Sequence, residues 1–141
     1  MASRDLHNNI AVRRAISPAA AVTSDTPIVS QIVDTFGYEA VEFAMAIGNN
    51  TDTNATFAVL VEHGDAANLS DAAAVPDANL IGNEAGASFD FSDDNETRKI
   101  GYVGIKRYVR VTVTPSGNNS GDIYVAALWL LGAGRSSRPE A

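Results

Sequence analysis

The 141-residue sequence predicts an all-β fold: a single-domain antiparallel β-sandwich, jelly-roll-like, with an extended N-terminal arm. Two observations carry that prediction. Runs of β-branched and aromatic residues alternate with polar ones at a period of two, as in strands with one buried face. Clusters of Gly, Asn, Asp and Ser punctuate these runs at the spacing of sandwich turns, giving roughly six to eight strands. No long stretch shows the 3.6-residue apolar period of an amphipathic helix.

Residues 1–27 read as the arm. Arg4, Arg13 and Arg14 make it locally basic, and Ser17-Pro18 and Thr26-Pro27 break it, because a residue before proline is pushed towards extended backbone. Such a segment either frays or orders against a partner. The sandwich is expected over residues 28–134, with a polar tail at 135–141. Its first strand begins at Ile28. There Val29 and Val33 oppose a mixed face of Ile28, Ser30, Ile32, Asp34 and Phe36, and Gly37 closes the run. Val41, Phe43, Met45 and Ile47 then form a clean inward set, followed after the turn at 48–52 by Phe57, Val59 and Val61. These three elements are expected to lie side by side as consecutive antiparallel strands.

Residues 65–81 are rich in Ala, Asp and Asn and predict mostly loop, with a helical turn at 70–74 capped by Ser70 and anchors at Val75, Leu80 and Ile81. Phe89 and Phe91 alternate through a short strand, and residues 92–96 form an acidic turn. Residues 100–115, IGYVGIKRYVRVTVTP, are the longest run of β-formers. Val109, Val111 and Val113 share one face, while Gly101 and Gly104 upstream mark a bulge or a sharp bend. Pro115 is expected to stop the strand. If the register ran unbroken from Val103, Arg107 would lie on the valine face and need a partner; a bulge at Gly104 would swing it outward. In the last strand, Ile123, Val125, Ala127, Trp129 and Leu131 face one way, and Tyr124, Ala126, Leu128 and Leu130 the other. Apolar residues on both faces predict cover on both sides, by a second sheet or by a neighbouring subunit.

The composition narrows function by exclusion. With no cysteine there are no disulfides, thiolate metal sites or thiol nucleophiles. A net charge of −7 argues against a nucleic-acid partner, since such binders draw affinity from a basic footprint. No segment approaches the apolar length of a membrane span, and the first residues lack the apolar core of a signal peptide. His7 and His63 stand outside any ligand cluster, and Asp90, Asp93, Asp94 and Glu96 lack the spacing of a calcium loop. No nucleophile elbow or dinucleotide fingerprint occurs. The expectation is a protein that is not an enzyme and has no metal, no cofactor and no catalytic residue.

The run GYVGIKRYVRV at 101–111 resembles one in small proteins of tailed bacteriophages and prophages, as does ATFAVLVEHGDAANLSDAAAVPDANLIG at 55–82. The likeness spans residues 28–139 and leaves out the arm. These proteins resemble head decoration, or cement, proteins. The resemblance implies a protein made in the host bacterial cytoplasm that binds the major capsid protein on the outer capsid surface of the virion and stabilises the shell. It also implies a homo-oligomer: a trimer suits local threefold points, and a dimer on twofolds is the competitor. Arg4, Arg13, Arg14, Lys106, Arg107 and Arg110 are the candidate capsid contacts, from their charge contrast with an acidic chain. Tyr102, Tyr108 and Tyr124 are candidates for self-association. The rival readings are a tail-tube, neck or head–tail connector protein and, behind these, a carbohydrate-binding sandwich. The latter would need aromatics on a concave face, whereas Trp129 sits in the most apolar strand.

Overall fold

The computed structural model describes residues 4–134. In chain order its strands are β1 (Ile10–Ile16), β2 (Ile28–Val29), β3 (Val33–Asp34), β4 (Tyr38–Asn50), β5 (Thr56–Gly64), β6 (Ala73–Ala74), β7 (Leu80–Ile81), β8 (Phe89–Asp90), β9 (Thr97–Tyr102), β10 (Tyr108–Ser116) and β11 (Ile123–Gly134). One helical turn, α1 (Glu84–Ala87), precedes β8. They form two antiparallel sheets. Sheet A has five strands in the order β1-β11-β4-β9-β7; sheet B has six, built on the path β2-β10-β5-β6, with β3 also on β10 and β8 also on β5.

The inward faces are those that period two predicts. Val41, Phe43, Met45, Ile47, Ile123, Val125, Ala127, Trp129 and Leu131 descend from sheet A onto Phe57, Val59, Val61, Val109, Val111 and Val113 of sheet B, all buried. Trp129 meets Phe43 edge-on at 5.2 Å, and its indole N–H donates to the Gln31 carbonyl at 3.1 Å. Phe57 stacks on Phe89 at 4.6 Å.

Topology departs from the expectation of side-by-side neighbours. β4 lies in sheet A and β5 in sheet B, and the chain crosses again between β9 and β10 and between β10 and β11. This alternation between sheets is the jelly-roll pattern. The β4–β5 crossing is held by Asp52, 1% exposed. Its carboxylate accepts the amides of Asn54, Asn119 and Ser120, tying this loop to the one before β11.

Four local expectations are corrected. The segment read as an arm contains β1, which pairs with β11 from Ile10↔Gly132 to Ile16↔Ala127 and buries Ala11, Ala15 and Ile16. The run 100–115 is two strands in different sheets; the bend at Gly104 is a crossing between them. Residues 70–74 form no helix: Ala73 and Ala74 pair with β5, and the helical turn is α1, where the Asn83 side chain accepts the Gly86 amide. Finally, β10 runs through Pro115 to Ser116. Val111 turns both its backbone groups towards Ser30, so Pro115, of the same parity, turns its missing donor to that side, beyond the last β2 pair at Ile28↔Val113.

Ser30 explains the poor alternation of residues 28–36. Between β2 and β3 its amide donates to the Val111 carbonyl and its hydroxyl accepts the Val111 amide, so a side chain stands in for a ladder bond. The slip buries Val33 and leaves Phe36 and Val29 exposed. The tail predicted at 135–141 lies outside the described residues.

Candidate interaction surfaces

The six predicted basic contacts do not form one patch. Arg4 is exposed ahead of β1. Arg13 and Arg14 point opposite ways, as neighbours on a strand must. Arg13 shares the core-side face of Ala11 and Ala15 and lines a cavity of about 490 Å³ with Gln31, Val33 and Tyr38. Arg14 lies on the outer face of sheet A. Arg110 lies on the outer face of sheet B, directly opposite Glu62, to which it donates at 2.9 Å. Lys106 and Arg107 sit at one end of the sandwich, in the β9–β10 connection. Among the tyrosines, only Tyr124 has the exposure expected of a self-contact, at 48%. Tyr108 is half-buried beneath Arg107, and Tyr102 is a core residue at 4% exposure.

Tyr102 instead builds the end of the molecule. Its hydroxyl accepts the Lys106 amide at 3.0 Å and lies 3.1 Å from the Lys106 carbonyl and 2.9 Å from His63 Nδ1. With one proton to give, the hydroxyl serves either acceptor, and the neutral imidazole takes the complementary tautomer. Burial holds the His63 pKa below its ordinary value, and Lys106 nearby adds to this. Gly104 has no alternative at this turn: a Cβ there would lie 2.5 Å from the Tyr102 oxygen. The connection 103–107 is therefore pinned from beneath, with Ile105 at its tip, 94% exposed, and Val103 and Phe36 exposed beside it.

Both cations at this end are paired. Arg107 makes a fork on Asp34, with Nε and Nη2 each 2.8 Å from a carboxylate oxygen, and covers Phe36 at 4.8 Å. That fork holds the Asp34 carboxyl below the usual range. Lys106 reaches Asp65 at 2.7 Å. Of the two alternatives for Arg107, the bend carries it outward, off the valine face, and there it pairs with Asp34.

The outer face of sheet A is the second surface. Strand register lays its outward residues in rungs: Ala126–Ala46–Thr97, then Arg14–Leu128–Ala44–Lys99, then Val12–Leu130–Glu42–Gly101–Ile81. Over the first two rungs runs an open groove of about 660 Å³, walled by Ile16, Ser17 and Pro18 on one side and Arg98 and Lys99 on the other. No aromatic side chain lines it among the described residues, so it offers no platform on which a sugar ring could stack. The sequence showed the apolar outward face of β11 but not its neighbours, which come from strands far apart in the chain.

The acidic turn is used internally. Asp90 and Asp93 accept amides of their own turn, Asp94 accepts the Asn50 amide at 2.9 Å, and Arg98 binds Asp93 and Glu96. Among the described residues no group of three or more His, Cys, Asp or Glu could hold a metal, and no helix is long and apolar enough to cross a membrane.

No protein-family model matches the chain, and no curated protein matches it. Among solved structures it is similar to the Clostridium thermocellum xylanase 10B CBM22-1–GH10 modules complexed with xylohexaose, at 11% identity and TM-score 0.49 over 95% of this chain and 28% of that one. It is also similar to Cellvibrio japonicus xylanase 10C with xylopentaose, at 14% identity and TM-score 0.48 over 92% of this chain and 28% of that one. A third likeness is the CBM36-1 domain of a xylanase from the hindgut metagenome of Trinervitermes trinervoides, at 9% identity and TM-score 0.41 over 89% of this chain and 99% of that one. The chain thus spans 28% of the length of either xylanase chain. Likenesses at this level bear on neither ligand nor activity.

Proposed function

We propose that this chain is a non-catalytic structural protein of a tailed-phage virion that binds the outer surface of the capsid as a homo-oligomer and stabilises the shell. It is made in the host cytoplasm, and its partner is the major capsid protein. The kind of partner follows from the motif resemblance at 55–82 and 101–111. The observation that carries docking is Ile105. A large apolar side chain stands 94% exposed on a loop pinned by the Tyr102 hydroxyl. Such a side chain adds nothing to the fold, whereas a preorganised apolar anchor loses little entropy on entering a pocket. Lys106 and Arg107, already paired in the chain, frame that anchor and supply hydrogen bonds at its rim.

A cement protein acts by mass action: it binds the assembled shell and so favours it over its parts, with avidity from many copies. The test is co-sedimentation of Ile105→Asp with undecorated shells. Binding is expected to fall by about tenfold or more, with no change in melting temperature because Ile105 is outside the core. Full occupancy by this variant would overturn the assignment of the anchor. A wild-type chain that ignores shells and assembles into rings or filaments would replace it with a tail or neck role.

A further inference from the structure

We propose that the outer face of sheet A is a self-contact, on which two copies of this chain pack face to face about a two-fold axis running across the strands. This names the surface behind the homo-oligomer in the reading above, but it stands without the shell. Three features of the face point to a second copy. Its floor is small and apolar: Ala44 and Ala46 of β4 and Ala126 of β11 line the groove beside Leu128, with Leu130 and Ile81 on the next rung. Val12, Leu128, Tyr124 and Ile81 stand between 41% and 60% exposed there, although the inner face of the same sheet already fills the core. A second sheet can therefore approach to the usual face-to-face spacing of about 10 Å.

The charges supply the second feature. Arg98, Lys106, Arg107 and Arg110 each have a carboxylate within 3.3 Å. Arg14 and Lys99 do not; Arg14 donates only to the Ser17 hydroxyl. Two cations on one rung thus make no close ion pair, in a chain of net charge −7, although Lys99 lies diagonally across from Glu42 of its own chain. On the next rung Glu42 lies flat across Gly101, where a Cβ would come within 2.8 Å of its Oε1. Burial raises its carboxyl pKa, Lys99 offsets this, and no hydrogen-bond donor among the described residues reaches it.

The third feature is that Glu42 and Lys99 come together across such an axis, while Arg14 lies over the partner's Val12. An axis between the two rungs sets the Arg14–Leu128–Ala44–Lys99 rung of one copy over the Val12–Leu130–Glu42–Gly101–Ile81 rung of the other. Glu42 then lies over the partner's Ala44, offset sideways by one strand spacing of about 4.8 Å from the partner's Lys99, with the two sheets about 10 Å apart and the side chains reaching across. The same pair forms again on the other side of the axis.

The experiment is light scattering on a sizing column across a concentration series of the purified chain. The wild type is expected to reach a dimer mass. Ala46→Arg, which points out of the fold, is expected to give a monomer with unchanged circular dichroism. Glu42→Lys and Lys99→Glu are each expected to weaken dimerisation by about tenfold or more, and the two together to restore it. A wild-type monomer at the highest concentration, a dimer indifferent to Ala46→Arg, or a double variant as weak as the singles would each overturn the proposal. Shell binding separates this result from the docking reading. A monomeric wild type that still decorates shells sinks only the self-contact, and a dimer that ignores shells sinks only the docking.

Discussion

Tyr102 and Asp52 show how single polar groups set loops on a sandwich whose core is otherwise apolar. Tyr102→Phe keeps the ring but removes the oxygen that holds the Lys106 amide and faces His63. It is expected to cost about 1–3 kcal/mol, the penalty for buried partners left unsatisfied, measured by urea unfolding. Proteolysis at the loosened connection 103–107 is expected to rise with it. Asp52→Ala removes the acceptor of three backbone amides from two loops and is expected to lower the melting temperature by several degrees. Part of this was legible in sequence. The residues leave Arg107 either inward with a partner or swung outward by a bend at Gly104, and residue spacing does not show Asp34, 73 positions away, as the partner it meets outside. Tyr102 is no self-contact because it shares the inward face of β9 with Ile100 and stands opposite the core residue Val41, which carries its hydroxyl under the loop.

Among elements, β1 is the sharpest correction and the easiest to test. Residues 10–16, IAVRRAI, alternate well enough for a strand, but two adjacent arginines and the flanking prolines drew the reading towards an arm. The pairing with β11 decides the matter, because β11 offers an otherwise open edge and buries Ala11 and Ala15. Deleting residues 1–16 is therefore expected to destabilise or unfold the domain, whereas a frayed arm could be removed without loss. Circular dichroism with thermal melting checks this. In the core, Phe43→Ala is expected to cost about 3–5 kcal/mol, since Phe43 is 1% exposed and packs edge-on against Trp129.

At the scale of the whole molecule, the titrating groups set how stability depends on pH. Asp34, Asp52, Asp71 and Asp90 are all held below the usual carboxyl range, Asp34 by Arg107 and the others chiefly by hydrogen bonds to the backbone or, for Asp90, to Ser92. Their contribution is complete above an unfolded value of about 3.9 and is lost as pH falls through the lowered folded values. His63 is also depressed, by burial, so the unfolded chain takes up its proton first. Stability is then eroded as pH falls below about 6.5, the unfolded histidine value. Urea midpoints are expected to be flat above neutrality, to sag gently below about 6.5 and to drop steeply below about 4. His63→Asn should remove the gentle limb and leave the steep one. Glu42 has the opposite sign: burial raises its folded pKa, so the charged form is a cost that grows as pH rises through that value. Glu42→Gln is accordingly expected to leave the monomer equally or more stable while weakening the dimer.

What the sequence determined by itself is which side chains of each long strand face inward, because period-two alternation is local and survives whatever the strand pairs with. Val109, Val111 and Val113, or Phe57, Val59 and Val61, could be assigned to the core before any partner was known. What only the tertiary structure decided is which strands are neighbours: Ile10 beside Gly132, Ala44 beside both Leu128 and Lys99. Pairing between distant segments depends on the shape and twist of the closed core, which no short window of residues encodes. Both surfaces, the pinned loop end and the rungs of sheet A, are assembled by that pairing.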